Sequence, residues 1–190
     1  MIINLVDRNI AKVLLLFSTS PGSRYYRNEI KEKTEMNNVP LDNSLNELLT
    51  LDIIKLDGRL YSLNYENGFA NEIVGGAKEK FGGLPLKVQF EIIDLISEIL
   101  KLGRIRKIIL FGSYSKLIYS EKSDIDIAVV LNKGNKIEKK IELFAEKISK
   151  KYKKEIQAHF FSEGDLKHKE DPLIRDILKN GRVLIGEEGY

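Results

Sequence analysis

Residues 110–131 read LFGSYSKLIYSEKSDIDIAVVL, and this stretch decides the fold that we predict for the whole chain. Apolar residues dominate the segments 105–111 and 125–131, and such short apolar runs are typical of buried β-strands. Asp124 and Asp126 lie at the start of the second run, although aspartate is disfavoured in strands. Two carboxylates in one apolar strand therefore indicate a functional site.

The spacing of the two carboxylates places them on one face of the strand. Residues i and i+2 of a strand point to the same side, about 6–7 Å apart, and paired carboxylates at that spacing can bind Mg²⁺. The preceding strand ends at Gly112 and Ser113. Glycine lets a phosphate approach the backbone, and serine offers an N–H group and a hydroxyl. The sequence therefore predicts a phosphate-binding loop and a metal-binding pair at the same end of two neighbouring strands.

These motifs resemble the signature of the minimal nucleotidyltransferases of the DNA polymerase beta superfamily. That signature is an apolar strand, Gly-Ser, a spacer, and (Ser/Thr)-Asp-x-Asp within a second strand. Here Gly112-Ser113 and Asp124 are separated by ten residues, of which the last is Ser123. The resemblance implies an α+β fold with a mixed sheet flanked by helices. It also implies transfer of a nucleoside monophosphate, with AMP from ATP as the first choice among nucleoside triphosphates, to a hydroxyl group.

Roles for individual residues follow from the same resemblance. Asp124 and Asp126 are expected to be the catalytic ligands of one or two Mg²⁺ ions, with Gly112, Ser113 and Ser123 in the nucleotide site. Many small family members carry Ala-Arg-Gly shortly after Gly-Ser, whereas this chain has Ser-Lys-Leu at 115–117. Lys116 is therefore a candidate triphosphate ligand without the bidentate fork of arginine, and its alternative is an exposed helix lysine.

The predicted strand 155–161 departs from the family pattern. The family places a third acidic residue on this strand, and the matching position here is Gln157. Glutamine can bind a metal through its carbonyl oxygen but cannot act as a base. Glu155 and His159 alternate onto the same face, so either one is a candidate for accepting a proton. The alternative for His159 is a hydrogen-bonded residue at the strand surface.

Residues 1–64 have the pattern of a separate unit. Helical spacing of apolar residues predicts a helix that includes residues 10–17, with Asp7 as its cap, and further helices over 27–34 and 39–51. Asp57-Gly58 between apolar runs predicts a hairpin. Elements in this order and of this size look like a winged helix-turn-helix. Residues 65–84 are predicted to be a helical linker, with a hinge at Gly75-Gly76 or a helix interrupted there. Residues 85–190 then form the nucleotidyltransferase domain.

Binding of DNA by the N-terminal unit is weakly supported. The predicted recognition helix over 39–51 has no lysine or arginine, and residues 1–64 hold eight basic and eight acidic side chains. A DNA-binding domain usually carries a positive surface, because phosphate contacts dominate affinity. We therefore favour a scaffold or homodimer role for this unit. DNA binding through a local patch stays open, with four basic residues as candidates: Arg24, Arg27, Lys31 and Arg59.

Composition sets broad limits. The 190 residues are 43% hydrophobic and 31% charged, with a net charge of +3, which is ordinary for a globular protein and too small to argue for nucleic acid alone. The chain has no cysteine, and we see neither a signal-peptide pattern nor an apolar run long enough for a membrane span. We expect a cytoplasmic protein that does not bind membranes.

Four functions remain open at this stage. The first is transfer of a nucleotide to a protein or a nucleic acid. The second is a role as the antitoxin partner of a HEPN-type toxin, which some minimal nucleotidyltransferases modify or sequester. The third is transfer to a small molecule, for which no acceptor pocket can be recognised. The fourth is a winged-helix DNA-binding regulator whose nucleotidyltransferase domain binds nucleotide with little or no catalysis.

Overall fold

The computed structural model describes residues 7–103, 105–132 and 137–186, and the chain divides into two compact units. The first unit is Met1–Ile93 and the second is Asp94–Tyr190. The division falls within one long helix that has a continuous apolar stripe. The bounds predicted from sequence, 1–64, 65–84 and 85–190, stay a prediction. Within the described residues, no helix is both long and apolar enough to cross a membrane.

The first unit combines helices with a small antiparallel sheet in the strand order β1-β3-β2. Its elements are α1 Arg8–Thr19, β1 Arg24–Tyr26, α2 Arg27–Thr34, α3 Asn38–Thr50, β2 Ile54–Asp57, β3 Leu60–Leu63, α4 Gly68–Phe81 and the first part of α5 Leu86–Leu100. The side chain of Asp7 accepts a hydrogen bond from the Asn9 amide and caps α1. Apolar residues from α1, α2, α3, β2 and α4 form one core: Val13, Phe17, Ile30, Leu41, Leu45, Leu48, Ile54 and Ile73.

The hairpin of this unit corrects the predicted turn by one residue. Strand β2 extends to Asp57, which pairs with Leu60, so the two-residue turn is Gly58-Arg59 and not Asp57-Gly58. Gly58 has a φ of +60°, and the tight hairpin turns require positive φ at their first position. The remaining strand of this sheet, β1, was not predicted. It has only three residues, and their exposure alternates.

Helix α4 runs without a break through Gly75 and Gly76, so the predicted interruption is absent. Ala70 and Ile73 of this helix are buried in the core of the first unit. A Cβ atom at either glycine would meet nothing within 4 Å. Both glycines therefore lie in ordinary helix with open space beside them.

Alanine at these two positions should stabilise the protein. Glycine in a helix interior costs about 1 kcal/mol relative to alanine, because it loses more backbone freedom on folding. We expect each of Gly75→Ala and Gly76→Ala to raise the free energy of unfolding by about 0.5–1 kcal/mol, measured by urea denaturation. Destabilisation by both variants would instead show that the helix must bend or open at this point.

The second unit is a four-stranded mixed sheet in the order β6-β5-β4-β7 with helices packed on it. Its elements, after the last part of α5, are β4 Ile105–Phe111, α6 Gly112–Ser115, β5 Ile125–Leu131, α7 Glu138–Tyr152, β6 Ile156–Phe161, α8 Pro172–Asn180 and β7 Arg182–Ile185. Strands β5 and β6 are parallel and are joined through α7, whereas the other neighbouring pairs are antiparallel. The expected α+β architecture is confirmed. The predicted start of α7 at Gly134-Asn135 lies outside the described residues.

One face of this sheet packs against α8 and a short 3-10 turn, Asp165–Lys167. The buried cluster on this face includes Phe111 of β4, Ala128 of β5 and Ile177 of α8. Asp126 shares the face of Ala128, because residues two apart in a strand point the same way. Asp171 caps α8 by accepting a hydrogen bond from the Leu173 amide, at 2.7 Å. The packing therefore brings the start of β5 and the middle of α8 to one end of the sheet.

Candidate active site

The loop after β4 lies directly against Asp126. In the antiparallel register, Phe111 is the partner of Asp126. The loop that begins at Gly112 therefore starts at the point where the Asp126 carboxylate projects. A Cβ atom built on Gly112 would lie 2.2 Å from Asp126 Oδ2, and Gly112 has a φ of +71°. Only glycine satisfies both conditions without strain. The structure thus brings the predicted phosphate-binding loop and the predicted metal-binding residue into contact.

Gln157 contacts Asp124 directly. Strands β5 and β6 are paired in parallel with Asp126 opposite Gln157, and the Gln157 side-chain amide donates a hydrogen bond to Asp124 Oδ2 at 2.8 Å. This bond orients Asp124 but adds no negative charge to the site. The amide at the third acidic position of the family therefore supports the aspartate pair through its N–H group.

His159 lies beside Asp126 but is not hydrogen-bonded to it. The His159 Nε2 atom is 3.8 Å from Asp126 Oδ1, which is too long for a hydrogen bond. The same atom is buried and has no hydrogen-bond partner within the described residues, and the ring meets Phe111 edge to face at 5.2 Å. His159 Nε2 therefore faces Asp126 without a hydrogen bond, and the role of His159 in accepting a proton stays a prediction.

Glu155 is placed differently from His159. Its carbonyl oxygen accepts a hydrogen bond from the Ile125 amide at 2.9 Å, which puts its backbone beside Asp124. Its side chain is exposed, and no hydrogen bond or ion pair of that carboxylate is found in the described part of the chain. Of the two candidates for accepting a proton, Glu155 has the more exposed side chain.

The surroundings of Asp126 favour a bound cation. Burial raises the pKa of Asp126 above its ordinary value, the neighbouring His159 lowers it, and the negative charges of Asp124 and Asp176 raise it further. A carboxylate that is costly to ionise gains most from a divalent ion beside it.

The residues present fit Mg²⁺ bound together with a nucleotide. No group of three or more His, Cys, Asp or Glu residues able to hold a metal occurs among residues 7–103, 105–132 and 137–186. Mg²⁺ is commonly bound by one or two protein carboxylates, with waters and substrate phosphates as its other ligands. Asp124 and Asp126 provide such a pair, and the unpartnered His159 Nε2 lies next to it.

Lys116 follows α6 and forms an ion pair that the sequence did not predict. Its Nζ atom lies 3.1 Å and 3.2 Å from the two carboxylate oxygens of Asp176 in α8. Asn180 donates a further hydrogen bond to Asp176 Oδ1 at 2.7 Å. These donors, led by Asn180 and followed by Lys116 and the Gly112 amide, lower the pKa of Asp176. No local pattern marks Asp176, because it occupies the polar side of an amphipathic helix.

The two predicted serines have structural contacts in the loop. The carbonyl oxygen of Ser113 accepts a hydrogen bond from the Ile118 amide at 3.0 Å. The Ser123 hydroxyl accepts a hydrogen bond from the Ser120 amide at 2.9 Å and so closes the turn before Asp124. Ser123 therefore shapes the approach to the aspartate pair, and its role in nucleotide binding stays a prediction.

Arg182 is a second residue that sequence reasoning missed. It lies on β7 opposite Leu110, and its Nε donates a hydrogen bond to the Ser115 carbonyl oxygen at 3.0 Å. Burial lowers the pKa of Arg182 below its ordinary value. Its basic side chain is brought to the Gly-Ser loop only by the pairing of β7 with β4, over a separation of 67 residues.

A glutamate at position 157 should strengthen metal binding. Gln157→Glu would replace the amide that donates to Asp124 with a third carboxylate on the same face. We expect Mg²⁺ affinity in calorimetry to rise about threefold to tenfold, because close like charges are relieved by a divalent ion. The melting temperature in EDTA should fall for the same reason. Unchanged Mg²⁺ affinity would place position 157 outside the metal site.

The comparisons with known proteins agree with this geometry. The family model described as "Polymerase beta, Nucleotidyltransferase" matches residues 94–189, which corresponds to the second compact unit. The match covers half of the chain, and the protein therefore belongs to the polymerase beta nucleotidyltransferase family.

More specific relatives are similar over short or partial stretches. A segment of 28 residues is 68% identical to the "Putative protein adenylyltransferase" of Methanocaldococcus jannaschii, and it covers 15% of this chain and 28% of that protein. The chain thus matches well under a third of that relative's length.

Solved structures give weaker similarity. A crystal structure of a toxin-antitoxin with AMP-PNP is 25% identical, over 52% of this chain and 73% of that chain, with a TM-score of 0.39. A mutant of the toxin-antitoxin MntA-HpeT is 22% identical, over 52% of this chain and 72% of that chain, with a TM-score of 0.38. These scores are too low for a shared overall structure to be inferred.

Proposed function

We propose that this protein is a Mg²⁺-dependent nucleotidyltransferase that transfers AMP from ATP to a hydroxyl group of a protein. The observation that carries the proposal is the packing of Gly112 on Asp126, where a Cβ atom would lie 2.2 Å from the carboxylate. Membership of the nucleotidyltransferase family supports the reaction class. Similarity to the M. jannaschii relative, which is named a putative protein adenylyltransferase, supports a protein as the acceptor and AMP as the transferred group.

In this proposal the second unit supplies binding and orientation. Mg²⁺ held by Asp124 and Asp126, as one ion or two, would neutralise the phosphates of ATP and help to align the reacting groups. Gln157 keeps Asp124 in place through its hydrogen bond, and His159 faces Asp126 at 3.8 Å. The Gly112-Ser113 backbone would hold the phosphates, since glycine allows them to approach closely.

The transfer step requires one bond to form and one to break. The acceptor oxygen attacks the α-phosphorus of ATP, the bond to the β-phosphate bridging oxygen breaks, and pyrophosphate leaves. The hydroxyl proton must be accepted, and the exposed Glu155 carboxylate is our candidate for this role. His159 is the second candidate, with its Nε2 atom 3.8 Å from Asp126 Oδ1.

Labelling in a cell lysate tests the proposal. The intact protein and Asp124→Ala/Asp126→Ala are incubated with radiolabelled ATP, Mg²⁺ and lysate, with Glu163→Gln as an exposed control. A labelled protein band that appears only when both aspartates are present supports the proposal. A labelled RNA would instead show that the acceptor is a nucleic acid. Absence of any aspartate-dependent label, with the intact protein still folded, would contradict it.

For the first unit we propose a winged helix that contacts protein. Arg27, one of the four basic residues of the predicted DNA-binding patch, donates two hydrogen bonds to Asp42 of α3, at 2.6 Å and 2.9 Å. Val39 and Tyr26 beside this pair are 70% and 52% exposed. A neutral surface with exposed apolar residues favours a protein partner over DNA. A second copy of the chain and a HEPN-type toxin are the two candidates that we propose.

Size-exclusion chromatography with light scattering separates these partners. A dimeric mass for the isolated protein that becomes monomeric in Val39→Asp would support self-association. A monomer that binds a co-expressed HEPN-type protein would support the antitoxin role. Salt-dependent binding to genomic DNA that requires Arg27 would contradict both and would support the regulator function.

A further inference from the structure

The Lys116–Asp176 ion pair lies where the proposed function requires the phosphates of ATP to bind. Lys116 contacts both oxygens of Asp176. Lys116 is one of the groups expected to hold the phosphates of ATP. A carboxylate from α8 therefore uses a donor that a triphosphate would need.

The contacts of Asp176 do not fit a metal ligand. Its partners are Lys116 and Asn180, which are both hydrogen-bond donors. Within the described residues it is not part of any cluster of three or more acidic or histidine side chains that could hold a metal. Donors that converge on one carboxylate are typical of an anion-binding site.

Asp176 also lies near the loop that meets the aspartate pair. It contacts Lys116, which directly follows α6, and α6 begins at Gly112, whose Cβ position lies against Asp126. A triphosphate bound at this loop would meet the negative charge of Asp176. Since the Lys116 and Asp176 side chains are 34% and 27% exposed, the repulsion is only partly screened by solvent. The negative charge of Asp176 should therefore weaken the binding of ATP.

We propose that Asp176 is an affinity-determining residue that occupies the phosphate-binding donor Lys116 until the nucleoside triphosphate displaces it. Asn180, one helical turn further along α8, holds Asp176 in this place. The displacement frees Lys116 to contact the phosphates. This inference rests on the proposed function, because it takes the triphosphate to be the ligand of Lys116.

Binding of sodium tripolyphosphate to the full chain tests the inference apart from catalysis. The affinity is measured by calorimetry without Mg²⁺ for the intact protein, Asp176→Asn, Lys116→Met and the double variant. Asparagine has the shape of aspartate and can still accept from Asn180, so the fold should be kept. Glu170→Gln, an exposed carboxylate that contacts His168, is the matched control and should bind like the intact protein.

We expect Asp176→Asn to bind tripolyphosphate about threefold to tenfold more tightly, the range for loss of a partly exposed ion pair that competes with the ligand. Lys116→Met should bind more weakly, and the gain from Asp176→Asn should vanish in the Lys116→Met background, since the gain acts through Lys116. A purely structural role of Asp176 would not give this dependence. In kinetics, KM for Mg-ATP should fall by a similar factor with kcat within about twofold.

Weaker or unchanged tripolyphosphate binding by Asp176→Asn would overturn the inference, as would a gain that persists without Lys116. Asn180→Ala provides a second variant if Asp176→Asn does not fold. It removes the tether but keeps the charge, so affinity should rise by a smaller factor, and no rise would also contradict the inference. The proposed function is tested separately, because nucleotide transfer depends on Asp124 and Asp126 and not on the outcome at Asp176.

Discussion

Asp126→Asn should lose nucleotide transfer almost completely and yet melt at a higher temperature than the intact protein at neutral pH. Asparagine keeps the shape of the side chain but removes the charge that would hold Mg²⁺. Loss of a metal ligand removes several kcal/mol of transition-state stabilisation, so we expect a decrease of about 10³-fold in kcat/KM. The measurement is transfer of radiolabelled AMP under saturating Mg²⁺.

The gain in stability follows from the pKa of Asp126. Burial raises this pKa in the folded protein, so the folded state binds the proton more tightly than the unfolded state does. The contribution of Asp126 to stability is therefore fully present below the ordinary carboxyl pKa and is lost as the pH rises through the raised pKa. Asp126→Asn does not lose this stability at high pH. The difference in melting temperature between the variant and the intact protein, measured in EDTA, should therefore shrink as the pH is lowered through that window.

The control for this prediction is Glu163→Gln, an exposed carboxylate on the same unit. It should change neither transfer nor melting temperature. The outcome that speaks against our assignment is an Asp126→Asn protein that keeps more than about a tenth of its transfer activity, since a tenfold loss is only about 1.4 kcal/mol and too little for a metal ligand. A lower melting temperature would contradict the electrostatic argument alone.

The second large effect is expected for Gly112→Ala. The added Cβ would lie 2.2 Å from Asp126 Oδ2, and alanine would be strained at a φ of +71°. Asp126 or the loop must therefore move. A misplacement of about 1 Å in an active site can reduce the rate by about 10²-fold, and this is the loss that we expect in kcat/KM. The strain should lower the free energy of unfolding by about 1–3 kcal/mol.

Gly164→Ala is a matched control for this substitution. Its Cβ would meet only the Ser162 hydroxyl, at 3.5 Å, which is an ordinary contact. It should keep activity and stability close to those of the intact protein. Gly112→Ala combined with Asp126→Asn should lose little more than Asp126→Asn alone, because both changes act on one group. Independent, additive losses would show that Gly112 acts through a different contact.

The local features of the site could be predicted from sequence. Strand periodicity, the Gly-Ser pair and the spacing to Asp124 are all set within residues 105–131. Hairpin and helix-cap signals are equally local: Asp171, directly before Pro172, caps α8. The predicted turn at Asp57-Gly58 was wrong by one residue, because strand pairing extends β2 to Asp57 and the turn is Gly58-Arg59.

The distant partners of the site could not be predicted. Asp176 and Arg182 reach the Gly-Ser loop from 60 and 67 residues away, through the packing of α8 and the pairing of β7 with β4. Both look like ordinary surface residues in the sequence. The surroundings of His159 were likewise not predictable: it alternates with Gln157 as expected, but its buried Nε2 without a hydrogen-bond partner depends on the packing around Asp126, and its role in accepting a proton stays a prediction.

By itself, the sequence determined which residues could hold a metal and a phosphate, because side-chain alternation and glycine geometry depend on neighbours along the chain. The tertiary structure alone decided what surrounds them: an amide bound to Asp124, an imidazole facing Asp126 and a carboxylate on Lys116. These contacts depend on strand order and helix packing. Electrostatic interactions act across space at a few ångströms, whatever the distance along the chain.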